Sequence, residues 1–286
     1  MVGRWIKFLE LPRPHLFVVP ATLGVCGVFL AWGNPDTITL ILGTLIPVLG
    51  WAGAQVFNDL FDVEVDRVKH PEWPIPSGNV SKREAVVYGL SLYAASLILA
   101  ALVNVYCLAA SLIGLGLATI YSYMGKIKEK GILRNFCFGM SVAACILVGS
   151  AATGKVSLLS VVVIILAALI YTSDNIIGRF PDVEIDRMMN IRTLPLRVGL
   201  KRAAEIALLL VMISVCIAMF LWLLGLHISY LPLGLLAGAA LLWTNLAVLK
   251  DPERFGTLWI IHARYMSQLS LFLSFIVGVV TSAGLF

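Results

Sequence analysis

Two phrases in this sequence carry the residues best suited to chemistry: NDLFDVEVDR at 58–67 and GRFPDVEIDR at 178–187. In the first, Asn58, Asp62 and Asp66 recur every four residues, the spacing that puts side chains on one face of a continuing helix. Asp182 and Asp186 repeat that one-turn separation, about 6 Å of helical rise. Like charges stacked this way repel by a few tenths of a kcal/mol per pair, so they persist more readily with a cation among them. An Asn amide and carboxylates offer only oxygen, which suits a hard ion such as Mg²⁺ held by one or two carboxylates and substrate phosphates. Asn58, Asp59, Asp62 and Asp66 on one side, and Asp182 and Asp186 on the other, are the candidate metal ligands. Asp62, Asp66, Asp182 and Asp186 form the candidate catalytic set; Asp59 is offset from the main face. Two such clusters facing each other would hold two or more ions with a diphosphate between them. The bland alternative is solvated loop charge, the usual fate of a charge run. Recurrence of the phrase at matched positions argues against it here, though Glu64 and Glu184, between the one-turn pairs, read as supporting or solvated.

The elements that position these phrases are membrane spans. Of 286 residues, 60% are hydrophobic and 13% charged, against about a quarter charged in soluble domains. Nine apolar runs, near 16–33, 38–57, 84–103, 106–124, 136–153, 157–177, 204–223, 228–249 and 264–286, are long enough to cross a bilayer as helices. No removable signal peptide is evident before the first. Numbering the connections alternately puts the N-terminus and the loops near 58–83, 125–135, 178–203 and 250–263 on one side. With charges at span ends assigned to the nearer loop, every Lys and Arg except Lys155 falls there, as does every acid except Asp36. The positive-inside rule makes that side cytoplasmic, with the N-terminus inside and the C-terminus outside. The expected protein is all-α, a multi-pass cell-membrane protein with its active site at the cytoplasmic face. A pI near 9.0 raises nucleic acid as a partner, but the basic residues border spans and topology accounts for them. Cys26, Cys107, Cys137, Cys145 and Cys216 lie in apolar runs without metal-ligand spacing and read as buried thiols.

DVEVDR and DVEIDR stand 120 residues and four spans apart. The simplest account is one domain, 1–286, built by duplicating a four-helix unit: repeat one at about 1–135, repeat two at about 136–260, and a ninth helix at about 264–286.

At these residues the chain resembles the UbiA superfamily of intramembrane prenyltransferases, whose acid motifs have the forms NDxxDxxxD and DxxxD. HPEWPIPSGNVSKREA resembles its P-x-R-P-I-x-S-G-x-I-S segment, RTLPLRVG its T-L-P-x-x-x-G segment, and YSYMGKIKEKGILRN its loop after the fourth helix. Trp73 stands where the family commonly has Arg, Arg179 near a further acid of some members, Asn190 where Gly is frequent, and Leu16 where several carry a polar residue. The resemblance implies nine helices and Mg²⁺-dependent transfer of a prenyl group from a polyprenyl diphosphate to a lipophilic acceptor beside membrane lipid. Arg67, Lys69, Lys126, Lys128 and Arg192 are the cationic candidates for the diphosphate, each equally readable as a topology-setting charge. Tyr121 and Ser122 are candidate hydrogen-bond donors to it, and Arg13 and His15 candidates for the acceptor, with interfacial anchoring as the plainer reading. The loop segments look most like archaeal members that alkylate geranylgeranylglyceryl phosphate with geranylgeranyl diphosphate. An aromatic, quinone-precursor acceptor is the alternative. A transporter would also show a repeat, but ionisable residues mid-span are scarce, Asp174 being the nearest.

Overall fold

The computed structural model describes residues 7–32, 34–126, 129–254 and 258–284. Among them, eight helices are long and apolar enough to cross a membrane. Seven follow the predicted runs closely: α2 (Thr37–Phe61), α4 (Lys82–Val103), α5 (Val105–Lys126), α6 (Ile132–Ala152), α7 (Leu158–Ile177), α10 (Leu200–Met219) and α11 (Leu231–Lys250). The eighth, α12 (Leu258–Ser282), starts six residues before the predicted 264. The first predicted span, 16–33, is matched by a slightly shorter helix. Helix α1 (Val18–Trp32) has only 15 residues, and the helical segment Lys7–Leu16 precedes it across a 51° bend. Pro12 and Pro14 lie in the segment before that bend, where neither can donate a backbone hydrogen bond. Counted as one span, the bent pair brings the total to nine. The chain is a helical multi-pass membrane protein.

Short elements sit between the spans: α3 (Val63–Lys69), α8 (Val183–Met188), α9 (Leu194–Val198), and the two-residue strands β1 (Glu129–Lys130) and β2 (Arg192–Thr193). The strands pair in parallel, Glu129 opposite Arg192, so the loop after α5 is tied to the loop after α8. Side-chain caps set several starts. Asp36 accepts from the backbone N–H of Thr39 at 2.9 Å, which holds its carboxyl below the usual carboxylate range. Ser81 and Glu84 close a capping box at the head of α4.

Glycine brings the inner helices together. A methyl group on Gly27 of α1 would strike the Ile146 carbonyl of α6, and one on Gly149 of α6 would strike the Gly24 carbonyl of α1. The main core joins α1, α6, α7, α10, α11 and α12 through buried Leu23, Ile146, Leu166, Val211, Leu241 and Phe272. Burial is uneven around the bundle: 61% of the α6 span is buried but only 17% of α4 and 28% of α5.

Both acidic phrases gather at one end. Helix α2 does not run on past the phrase as the spacing assumed; it breaks at Asp62 (φ −92°, ψ 9°). The bonds Asp62 N–H to Asn58 O and Asp66 N–H to Asp62 O, both 2.9 Å, carry the four-residue spacing across the break. In the second phrase α7 stops at Ile177, and Asp182 (φ −94°, ψ −2°) opens α8 in nearly the same conformation. At the far end, Ser157 bonds to the Leu30 carbonyl, Asn104 to that of Ala151, and the His227 N–H to Ser282.

Candidate active site

A cavity of about 390 Å³ leads from Arg13, Asn58 and Arg179 at the acidic end into the bundle. Its apolar wall includes Ile46 and Pro47 of α2, Leu115 and Ala118 of α5 and Val148 of α6.

The first acid cluster lies at the end of α2 and along α3, where Asp59, Asp62 and Asp66 are all buried. Asp59 accepts a 2.5 Å hydrogen bond from Arg13, whose guanidinium also stacks 4.3 Å above the Trp73 ring. Arg13 holds a left-handed backbone (φ 53°), a costly conformation for a side chain of this size; the ion pair and the stack offset it. Asp62 lies 3.4 Å from the Nη2 of Arg134, a residue of α6 that is fully buried.

The second cluster holds a cation already. The Lys69 ammonium, at the end of α3, lies 2.8 Å from Asp182 and 3.0 Å from Asp186. It is contributed by the first phrase and received by the second, so the two clusters face each other. Asp186 is fully buried, whereas Asp182 keeps 31% of its side chain exposed.

Tyr121 organises the space between. Its hydroxyl accepts from Asn175 at 3.2 Å and Arg179 at 3.4 Å. Its carbonyl accepts from Arg134 Nε at 2.9 Å, and its ring lies 3.9 Å beneath the Arg134 guanidinium. Ser122, also on the cavity wall, donates to the Ala118 carbonyl.

Among the described residues no three of His, Cys, Asp and Glu converge as a ready metal cage. The donor set is oxygen only, and the buried Oδ1 atoms of Asn58 and Asn175 and Oδ2 of Asp186 have no hydrogen-bond partner there. Unmet buried acceptors of this kind suit a hard divalent cation that completes its shell with phosphate and water. The residues therefore fit Mg²⁺.

The candidates drawn from sequence divide. Asn58, Tyr121, Ser122 and Arg13 line the cavity, and Asp59, Asp62, Asp66, Asp182, Asp186 and Lys69 form the paired clusters. Lys69, expected against diphosphate, is placed between two acids instead. Arg67, Arg192 and His15 are exposed and are not brought to the cavity. Lys126 ends α5 with its side chain outside the described atoms, and Lys128 lies outside the described residues. Glu184 is exposed and pairs with Arg187, as a solvated charge would. Sequence reading missed Arg134 and Asn175 and gave Arg179 only the part of a cation beside the second cluster; the one available signal was polar side chains at the ends of apolar spans.

Comparison with known proteins follows the same lines. The UbiA prenyltransferase family model matches residues 17–258. Digeranylgeranylglyceryl phosphate synthase of Thermococcus kodakarensis is 28% identical over 276 residues, covering 96% of this chain and 97% of that protein. A solved structure concerned with digeranylgeranylglyceryl phosphate synthase in membranes superposes with a TM-score of 0.78 at 25% identity, over 98% of this chain and 99% of that one. A UbiA homologue from Archaeoglobus fulgidus bound to GPP and Mg²⁺ shares the fold, with a TM-score of 0.75 at 21% identity over 96% of this chain and 99% of its own.

Proposed function

The chain belongs to the UbiA prenyltransferase family, and from that premise we propose that it transfers a geranylgeranyl group from geranylgeranyl diphosphate to geranylgeranylglyceryl phosphate, a step of ether-lipid synthesis. The observation that carries this reading is the Lys69 bridge, which sets two acid clusters face to face beside a cavity with an apolar wall. The names of the relatives support the acceptor, and the ligands of the A. fulgidus homologue support a prenyl diphosphate with Mg²⁺.

In this reading Asn58, Asp62, Asp66, Asp182 and Asp186 would hold two or more Mg²⁺ ions. When bound, Mg²⁺ neutralises charge on the diphosphate as it leaves. Arg13 and Arg179, both on the cavity wall, add fixed positive charge at the same end. The allylic C–O bond breaks with its electron pair going to diphosphate. The acceptor's hydroxyl oxygen forms the new C–O bond, and its proton passes to the released diphosphate. The apolar wall keeps water from intercepting the allylic carbon. The active-site end faces the cytoplasm, which the distribution of Lys and Arg supports. The common backbone form of Asp62 and Asp182 supports descent from a duplicated four-helix unit.

The test is incubation of the purified protein with Mg²⁺ and labelled geranylgeranyl diphosphate against a panel of acceptors. Labelled diether lipid from geranylgeranylglyceryl phosphate is expected. Alkylation of a quinone-precursor aromatic acid in its place would overturn the acceptor, and no transfer to any acceptor would overturn the reaction.

A further inference from the structure

The cavity has a second polar region, deeper than the acids and unused by a diphosphate. Trp51 of α2 lies seven residues before Asn58, about 10 Å further into the bundle by helical rise. Tyr171 of α7 lies four residues before Asn175, about 6 Å further in. Tyr265 and Gln268 reach the same cavity from α12. The Trp51 Nε1 and the hydroxyls of Tyr171 and Tyr265 are buried and have no hydrogen-bond partner among the described residues. Tyr171 as a whole is only 4% exposed. Such donors are costly to leave unmet, and three around one space are more than packing accounts for.

The charge of this region is already balanced. One Asp174 oxygen accepts from Arg264 and the other from Gln268, so carboxylate and guanidinium cancel. An anionic group gains nothing there that it does not gain at the mouth, near Arg13 and Arg179. A neutral oxygen that accepts hydrogen bonds is matched by the indole N–H and two phenol O–H groups. We infer that Trp51, Tyr171 and Tyr265 form the subsite for the neutral oxygens, hydroxyl and ether, of the acceptor lipid, with the Asp174–Arg264–Gln268 unit holding α7 to α12 behind them. The inference rests on the acceptor assignment above and deepens it: the acceptor is recognised by its uncharged glyceryl oxygens as well as by its phosphate.

The test compares two ligands on the full-length protein in detergent by equilibrium binding: geranylgeranylglyceryl phosphate and its deoxy analogue lacking the free hydroxyl. The wild type is expected to prefer the hydroxylated lipid roughly fivefold, the worth of one net hydrogen bond. In Tyr171→Phe or Tyr265→Phe, each losing one oxygen, that preference should fall to about one. Binding of a non-hydrolysable geranylgeranyl thio-diphosphate with Mg²⁺ should be unchanged, which certifies the fold. A preference that persists in both variants, or a loss that falls on the thio-diphosphate instead, overturns the subsite. A wild type that binds the thio-diphosphate but neither glyceryl lipid overturns the acceptor assignment, and the subsite with it.

Discussion

Lys69→Met removes one positive charge and keeps most of the side chain's length and apolar stem. The ammonium sits 2.8 Å from Asp182 and 3.0 Å from Asp186, with the Lys69 side chain 6% exposed and that of Asp186 fully buried. At an effective dielectric of ~20, unit charges ~3 Å apart attract by about 5 kcal/mol. Desolvation of the ammonium in the native protein cancels part of that, and Asp182, 31% exposed, is partly screened by water and contributes less. Breaking a buried pair by deleting one partner typically costs about 3–5 kcal/mol, so about 3 kcal/mol is the reasoned loss for the metal-free variant. At about 2–4 °C per kcal/mol for a chain of this size, the variant should unfold roughly 6–12 °C below the wild type in EDTA. Intrinsic tryptophan fluorescence during a thermal ramp in detergent reads this directly. Added Mg²⁺ should recover more stability in the variant than in the wild type, because a divalent cation can take the place the ammonium vacated. A variant that unfolds within about 1 °C of the wild type in EDTA, or equal stabilisation of both by Mg²⁺, would refute the assignment of Lys69 as the resident cation.

Single replacement of Asp62, Asp66, Asp182 or Asp186 by Ala should lower turnover by about 100-fold or more while leaving protein that runs as a sharp peak in size exclusion. Near wild-type rates in two of the four would mean that the clusters are scaffolding. Excess EDTA should abolish transfer and Mg²⁺ restore it. In electron paramagnetic resonance, Mn²⁺ should occupy the first cluster alone and the second substantially only with a thio-diphosphate present, since Lys69 already bridges Asp182 and Asp186; equal filling without ligand would count against this asymmetry.

The spans were legible because lipid tolerates little but apolar helix for some twenty residues. The first was legible too, at 16–33 against Val18–Trp32, but hydropathy does not register the 51° bend that precedes it. The acids were legible as a set because their phrase recurs, but the helix break at Asp62 was not. Two backbone hydrogen bonds preserve the spacing there, so a kinked and a straight helix read alike. Asn190 illustrates a departure that the structure explains: it sits at φ 54°, where Gly is easiest and Asn the most tolerated substitute. Trp73 is another, since the guanidinium expected from that loop is supplied by Arg13 stacked on its ring. Arg134 and Asn175 stayed hidden because their roles arise only from folding. Arg134 meets Asp62 across 72 residues of chain, and Asn175 meets Tyr121 across 54.

The uneven burial of the helices bears on how long-chain reactants travel. Helices α4 and α5 are 17% and 28% buried, against 61% for α6, yet α5 supplies Leu115 and Ala118 to the cavity. The barrier between the apolar wall and the bilayer is there a single layer of helix. On the proposed function, a twenty-carbon chain already dissolved in the membrane would reach that side by lateral diffusion, with its polar head level with the acids. The proposed product, with two such chains, would depart the same way. The search for substrate becomes two-dimensional, and the aqueous side need deliver and remove only metal ions and diphosphate.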